Sequence, residues 1–110
     1  MKIENTKAQM RKGVLEYCIL LVLDGKPLYA SNIIDELKNS KLIVVEGTLY
    51  PLLTRLKNAG LLAYNWEEST QGPPRKYYEL TDTGKEFVKE LGESWNELVE
   101  AVGTIKSSKS

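Results

Sequence analysis

Residues 46–62 read EGTLYPLLTRLKNAGLL, and this stretch decides the fold. Leu49, Leu52, Leu53 and Leu56 recur at three- and four-residue spacing, which is typical of one apolar face of a helix. The spacing predicts a helix over 47–59, ended by Gly60. Because the leucines must face a core, the opposite surface of this helix is left for a partner.

That opposite surface is predicted to be polar and basic. It consists of Gly47, Pro51, Thr54 and Asn58, flanked by Thr48, Tyr50, Arg55 and Lys57. Hydroxyls, an amide and two cations without any acid suit the phosphate-lined major groove of DNA.

Two further helices are expected before residue 46. The first is predicted over 6–24 from an apolar stripe of helical spacing, formed by Met10, Val14, Leu15, Cys18, Ile19, Val22 and Leu23 and widened by Tyr17, Leu20 and Leu21. After the short extended piece Leu28-Tyr29, a second helix is predicted over 31–39, capped by Ser31 or Asn32. The first helix is apolar around so much of its circumference that it needs burial on more than one side.

A hairpin and a last helix are expected after residue 60. Residues 61–66 and 75–80 are rich in aromatic and aliphatic side chains, and residues 67–74 between them carry turn formers, so they predict a β-hairpin with a long tip. Thr81 is expected to cap a helix running to about residue 105, and residues 107–110 to form a frayed tail. The fold is thus expected to be mainly α with a small β-hairpin wing: a winged helix-turn-helix domain over 1–80 and a C-terminal dimerisation helix with its tail over 81–110.

The last helix carries the a/d spacing of a coiled coil. The seam consists of Val88, Leu91, Trp95, Leu98, Val102 and Ile105. A lone helix with such a seam needs a partner, which predicts a homodimer; packing on the first helix of the same chain is the alternative, and both can hold.

Trp95 stands in this seam where a coiled coil normally prefers leucine, isoleucine or valine. Across a dimer axis two indole rings can hold the helices apart and bind a planar aromatic molecule between them. Nearby Glu93, Glu97 and Glu100 would favour a cationic small molecule. The alternative is that Trp95 is a core residue.

The distribution of charge favours a DNA partner more than its total does. The 110-residue chain has a formal net charge of zero, but residues 47–60 carry Arg55 and Lys57 without an acid, while residues 81–110 carry six acids and four lysines. Arg75 and Lys76 add a second basic point on the hairpin, unless they pair with Glu67 or Glu68 across it.

Composition argues against catalysis and against membrane insertion. The chain has no histidine, the usual metal ligand and general base, so we expect no enzyme, no metal and no cofactor. Cys18, the single cysteine, lies in an apolar stretch and is read as a buried small hydrophobe. No apolar run approaches the ~20 residues that span a bilayer, and the N-terminus lacks the pattern of a signal peptide, so the protein is expected to be cytoplasmic.

The combined pattern resembles that of PadR-family regulators. The segments that carry the resemblance are 46–56 (EGTLYPLLTRL), 60–62 (GLL), 72–81 (GPPRKYYELT) with Gly84, Lys12-Gly13, Leu15-Glu16 and Pro27-Leu28-Tyr29. The resemblance implies a dimeric repressor with the third helix as recognition element, the hairpin as wing and a single C-terminal helix that dimerises, as in short members, some of which sense flat aromatic compounds or drugs. Val45 replaces a serine common before the recognition helix, so that cap is missing, and Ala30 replaces the glycine usual after the tyrosine.

The interpretation is therefore a sequence-specific regulator, a repressor released by a small aromatic ligand. Its predicted DNA-binding residues are Thr48, Tyr50, Pro51, Thr54, Arg55, Lys57, Asn58, Arg75 and Lys76. Two recognition helices related by a dimer axis predict an inverted-repeat operator in double-stranded DNA. The rival interpretation is a winged-helix protein-interaction module in which the basic residues are incidental.

Overall fold

The predicted order of elements is confirmed in the computed structural model, which describes residues 1–68 and 72–109. The elements are α1 Ile3–Leu23, β1 Leu28–Tyr29, α2 Ala30–Asn39, α3 Glu46–Asn58, β2 Leu62–Glu67, β3 Arg75–Leu80 and α4 Asp82–Ser108. Four helices and a small antiparallel sheet form a winged-helix fold with a C-terminal helix. Residues 69–71 of the expected hairpin tip and Ser110 of the expected tail lie outside the described residues.

The core lies between α1, α2 and α3. Its most deeply buried side chains are Ile19, Leu20, Leu23, Ile33, Leu49 and Leu53. Leu20, which we expected only to widen the α1 stripe, is fully buried, whereas Met10 is exposed. Nearly all residues of α1 before Val14 are exposed, so the apolar stripe of this helix continues beyond the part that the core covers.

The sheet has three strands in the order β1-β3-β2, all antiparallel. The predicted hairpin is confirmed, and we call β2 and β3 the wing; the extended piece Leu28-Tyr29 is in addition a third strand that pairs with β3. Even-numbered side chains such as Leu62, Tyr78 and Leu80 are buried against the helices. Odd-numbered ones face outward, where Asn65 Nδ2 donates to Glu79 Oε1 at 3.2 Å.

The expected cap of α2 is wrong. The helix begins at Ala30 with Tyr29 as its N-cap residue, and Asn32 reaches back so that its Oδ1 accepts the Tyr29 N–H at 3.2 Å. Ser31 is left inside the first turn, exposed. At α3, the missing side-chain cap at Val45 is confirmed.

The N-terminal end of α4 is firmly fixed to the sheet and to α1. Thr81 caps it as predicted, because its Oγ1 accepts the Gly84 N–H at 2.9 Å and donates to the Gly60 carbonyl at 2.7 Å. Val88 is buried in the core. The helix continues to Ser108, so residues 107 and 108, which we expected in a frayed tail, are helical.

Candidate nucleic-acid interface

The surface of α3 faces outward as the leucine stripe requires. Leu49, Leu53 and Leu56 are buried. The seven residues of α3 predicted to contact DNA are all exposed: Thr48, Tyr50, Pro51, Thr54, Arg55, Lys57 and Asn58. The face of α3 directed to solvent therefore offers hydroxyl, amide and cationic groups together.

Arg55 lies at the edge of this face, next to α1. Its Nη1 is 3.1 Å from Glu16 Oε1, and the Arg55 side chain remains 73% exposed. Exposed ion pairs contribute at most about 1 kcal/mol, so this contact holds the guanidinium without locking it. Sequence reasoning missed the pair because Glu16 lies on α1, far from Arg55 along the chain.

Lys57 and Lys76 converge on aromatic rings of the wing. Lys76 Nζ lies 4.4 Å from the centre of the Tyr64 ring and 5.1 Å from that of Trp66, and Lys57 Nζ lies 5.5 Å from Tyr64. Trp66 is 61% exposed and stands directly opposite Lys76 in the strand register. The rings keep the two ammonium groups between α3 and the wing. The alternation along β2, which places residues 64 and 66 on one face, was the signal available in the sequence.

Arg75 is directed away from the wing, toward α2. Its backbone stands opposite Glu67, but the guanidinium carbon lies 4.0 Å from the centre of the Tyr29 ring, and Nη2 donates to Ser31 Oγ at 3.4 Å. Among the described residues, no ion pair joins Arg75 or Lys76 to Glu67 or Glu68. The alternative of cross-strand neutralisation therefore finds no support in the described geometry.

Tyr29 itself is held by a second ring. The rings of Tyr29 and Tyr77 are stacked with their centres 4.0 Å apart and an interplanar angle of 21°. A hydrogen bond with the Tyr77 side chain, together with desolvation and the neighbouring Glu67 carboxylate, raises the pKa of Tyr29 above its ordinary value. The phenol is thus neutral at any physiological pH.

An open cleft of about 360 Å³, which we call the wing cleft, runs between the wing and the starts of α2 and α3. Its lining includes Tyr29, Ser31, Tyr50, Trp66, Arg75 and Lys76. Of the predicted basic residues, Arg75 and Lys76 of the wing line this concave surface, with Glu46 as an acid at its edge, whereas Arg55 and Lys57 of α3 are not part of its lining.

The seam of α4 divides into two parts. Val88 is buried in the chain's own core and Leu91 is partly buried against it, so packing on α1 accounts for these two. Trp95 is 41% exposed, and Leu98, Val102 and Ile105 are exposed as well. Beyond Gly92 every described residue of α4 is exposed.

In the described part of the chain, no group of three or more His, Cys, Asp or Glu side chains is placed to hold a metal ion. None of the described helices combines the length and apolarity needed to cross a membrane. Cys18 is half-buried, and burial raises the pKa of its thiol.

Comparison with known proteins gives a consistent result. Residues 19–90 match the model of the transcriptional regulator PadR-like family. The chain is 66% identical to a PadR-like transcription factor from Bacteroides fragilis, with 92% of this chain and 98% of that one covered and a TM-score of 0.80. It is 32% identical to a PadR family transcriptional regulator from Eggerthella lenta, over 94% and 90% of the two chains, with a TM-score of 0.86. It is also similar to Bacillus subtilis PadR solved in complex with operator DNA, at 26% identity and a TM-score of 0.66, over 71% of this chain and 46% of that one.

Proposed function

The chain belongs to the PadR-like family of transcriptional regulators, and from this premise we propose that it is a cytoplasmic, homodimeric repressor, not an enzyme, that binds an inverted-repeat operator and is released by a planar aromatic, cationic ligand. The observation that carries the DNA part is the exposed polar and basic face of α3, with Lys57 close to the Tyr64 ring of the wing and with Arg75 and Lys76 lining the wing cleft. That a relative was solved with operator DNA supports the same partner.

The residues divide by the part of DNA that each can reach. Thr48, Tyr50, Thr54 and Asn58 have hydroxyl or amide groups, and together with Pro51 they face the base edges of the major groove. Arg55, Lys57, Arg75 and Lys76 neutralise backbone phosphates. The wing is thereby assigned to the backbone beside the groove that α3 enters.

The exposed part of the α4 seam supports the dimer. The part of α4 that projects beyond its own domain carries an exposed apolar stripe, which consists of Trp95, Leu98, Val102 and Ile105. Exposure of such a stripe to water is unfavourable. A second copy of α4 covers it with two-fold symmetry. The same axis then places two α3 helices about one DNA turn apart, ~34 Å, in successive major grooves.

The DNA part is tested with two charge-matched variants. One replaces Arg55, Lys57, Arg75 and Lys76 by alanine; the control replaces the four lysines of the C-terminal region, Lys85, Lys89, Lys106 and Lys109. Operators are first selected from random duplex DNA, and Kd is then measured across a range of salt concentrations. The first variant should bind more weakly and lose about 0.9 units of log–log salt slope per lost phosphate contact, while the control keeps the slope.

The outcomes separate the two classes of function. Equal slopes for the parent and the first variant would exclude this surface from DNA binding. A parent that selects no sequence and shows no salt-dependent binding would instead favour the protein-interaction module. A promoter fusion carrying the selected operator tests repression, which should be lost with the first variant.

The dimer is tested by truncation after Gly92. The shortened chain keeps the part of α4 that packs on α1 and loses Trp95 with the rest of the exposed stripe. Sedimentation should show a monomer where the full chain is a dimer. A soluble, stable dimer of the fragment would show that the seam lies elsewhere.

The ligand is tested with planar cationic dyes and tryptophan fluorescence. Saturable quenching should disappear in Trp95→Ala and persist in the control Trp66→Phe. If Trp95→Ala binds the dyes as tightly as the parent but unfolds more readily, Trp95 is a core residue of the assembly and the ligand assignment is wrong.

A further inference from the structure

The guanidinium of Arg75 is fixed by groups outside its own hairpin. It lies 4.0 Å from the Tyr29 ring centre, a distance that places it over a face of the ring and not at its edge. Tyr77 is stacked on the same ring at 4.0 Å. Two groups cannot occupy one face at that distance, so Tyr77 and Arg75 cover opposite faces of Tyr29.

The stacked rings of Tyr29 and Tyr77 favour one of two orientations that the Arg75 side chain can adopt. The strand register puts Glu67 directly opposite it, where an arginine can pair with the carboxylate and lose its attraction for phosphate. The described geometry instead has the guanidinium on Tyr29 and within hydrogen-bonding distance of Ser31 Oγ, 3.4 Å. The aromatic ring attracts the cation without neutralising it, because its face carries only a quadrupole.

In this orientation the Arg75 side chain points to a part of the domain that is suited to binding phosphate. Ser31 lies in the first turn of α2, which contains no acidic residue. In a helix-turn-helix the first of the two helices crosses the DNA backbone, and hydroxyls and N-terminal amides of helices are common phosphate contacts. Tyr29, Ser31 and Arg75 also line the wing cleft together.

We propose that Tyr29 is a positioning residue for DNA binding: its ring holds the Arg75 guanidinium beside Ser31, at the start of α2, in position to contact one backbone phosphate. The proposal rests on the proposed function. In this proposal the Tyr29 side chain does not itself contact DNA. It keeps the Arg75 guanidinium unpaired and pre-oriented, which lowers the conformational-entropy cost of the contact between Arg75 and phosphate.

The test compares Tyr29→Leu with the matched control Tyr29→Phe, in the full-length dimer on the selected operator. Phenylalanine keeps the stacked ring, so its Kd should stay within about twofold of the parent and its salt slope should not change. Leucine should weaken binding by about three- to tenfold and flatten the slope by about one unit, the value expected for one lost phosphate contact. In an Arg75→Ala background, Tyr29→Leu should have no further effect on the slope.

The thermal midpoint of each variant separates positioning from a structural role. A Tyr29→Leu protein that loses stability but keeps the parent's slope would overturn the proposal. If that variant does not fold, Arg75→Lys provides the second test, because lysine keeps the charge but cannot stack as a planar group. Arg75→Lys should bind about three- to tenfold more weakly than the parent, because its ammonium group is not pre-oriented as a planar stack on Tyr29; a Kd equal to the parent's would overturn the proposal, since charge alone would suffice. A parent without salt-dependent DNA binding would contradict the proposed function instead.

Discussion

At Gly84, α4 lies directly against the backbone of Leu61, the residue before β2, and replacing Gly84 by alanine should push the helix away from it. A Cβ at this position would overlap the carbonyl oxygen of Leu61 and lie 3.1 Å from its carbonyl carbon. Both groups are backbone, so no side chain can turn aside. The Leu61 carbonyl also accepts the Thr81 N–H at 3.1 Å, and the Thr81 hydroxyl accepts the Gly84 N–H at 2.9 Å. A shift of α4 that relieves the overlap therefore strains the cap of the same helix.

The size of the effect follows from opposing contributions. Alanine in a helix gains about 1 kcal/mol over glycine. Against this stand overpacking, about 1–3 kcal/mol or more where the surroundings cannot yield, the weakened cap, about 1 kcal/mol, and the weakened backbone hydrogen bond, about 1 kcal/mol. We expect Gly84→Ala to lower the free energy of unfolding by about 2–4 kcal/mol, which for a chain of this size lowers the Tm by roughly 8–16 °C.

Gly103→Ala is the control, since it makes the same chemical change in the same helix. No atom lies within 4 Å of a Cβ built on Gly103, so only the helix preference remains and the variant should gain up to about 1 kcal/mol. Thermal unfolding is followed by far-ultraviolet circular dichroism at one fixed protein concentration, because the Tm of a dimer depends on concentration. A Gly84→Ala protein as stable as the parent would refute the close approach of α4 to Leu61.

Three further outcomes are expected. Glu16→Gln should release Arg55 and tighten operator binding by about two- to fivefold with little change in Tm, because an exposed ion pair contributes at most about 1 kcal/mol; unchanged affinity would mean that Arg55 contacts no phosphate. Thr81→Ala should lower stability by about 1 kcal/mol in urea unfolding, whereas Thr81→Ser should keep the cap. Since burial raises the pKa of the Cys18 thiol, less thiolate is present at pH 8 and alkylation should be slower there than for a free cysteine, with the rate still rising at higher pH; a rate equal to that of free cysteine would contradict this.

The elements of the fold were predictable because their signals are local. Apolar spacing located all four helices, and turn formers between two aromatic runs located the wing. β1 was missed as a strand because a two-residue segment becomes one only by pairing with β3, far along the chain. The cap of α2 was wrong for a related reason: Ser31 and Asn32 are both good caps, and only the backbone path after β1 decides which residue starts the helix.

The outward placement of the predicted α3 side chains could be derived from the sequence, but their contacts could not. The leucines of α3 determined which side chains point outward, and the structure places those side chains as expected. Which cations are held, and by what, depends on tertiary neighbours: Glu16 lies on α1 and holds Arg55, while Tyr29 lies on β1 and holds Arg75. Pattern reasoning along one helix or one hairpin cannot find such pairs.

These contacts bear on how a ligand at α4 could release DNA in the proposed dimer. One route is electrostatic: movement of α1 changes the Glu16–Arg55 contact and with it the charge offered to phosphate. An exposed pair of this kind is limited to about 1 kcal/mol per subunit, which lies at the low end of the 1–3 kcal/mol typical of coupling between sites.

The other route is geometric, because Gly84 and Thr81 join α4 to the sheet through backbone contacts that leave little room for independent movement. A ligand that spreads the two α4 helices therefore moves the two wings and α3 helices with them, and a mismatch with grooves at a fixed ~34 Å spacing affects every contact at once. The geometric route predicts that inserting base pairs between the half-sites changes the effect of the ligand on affinity; a ligand effect independent of spacing would leave the electrostatic route as the explanation.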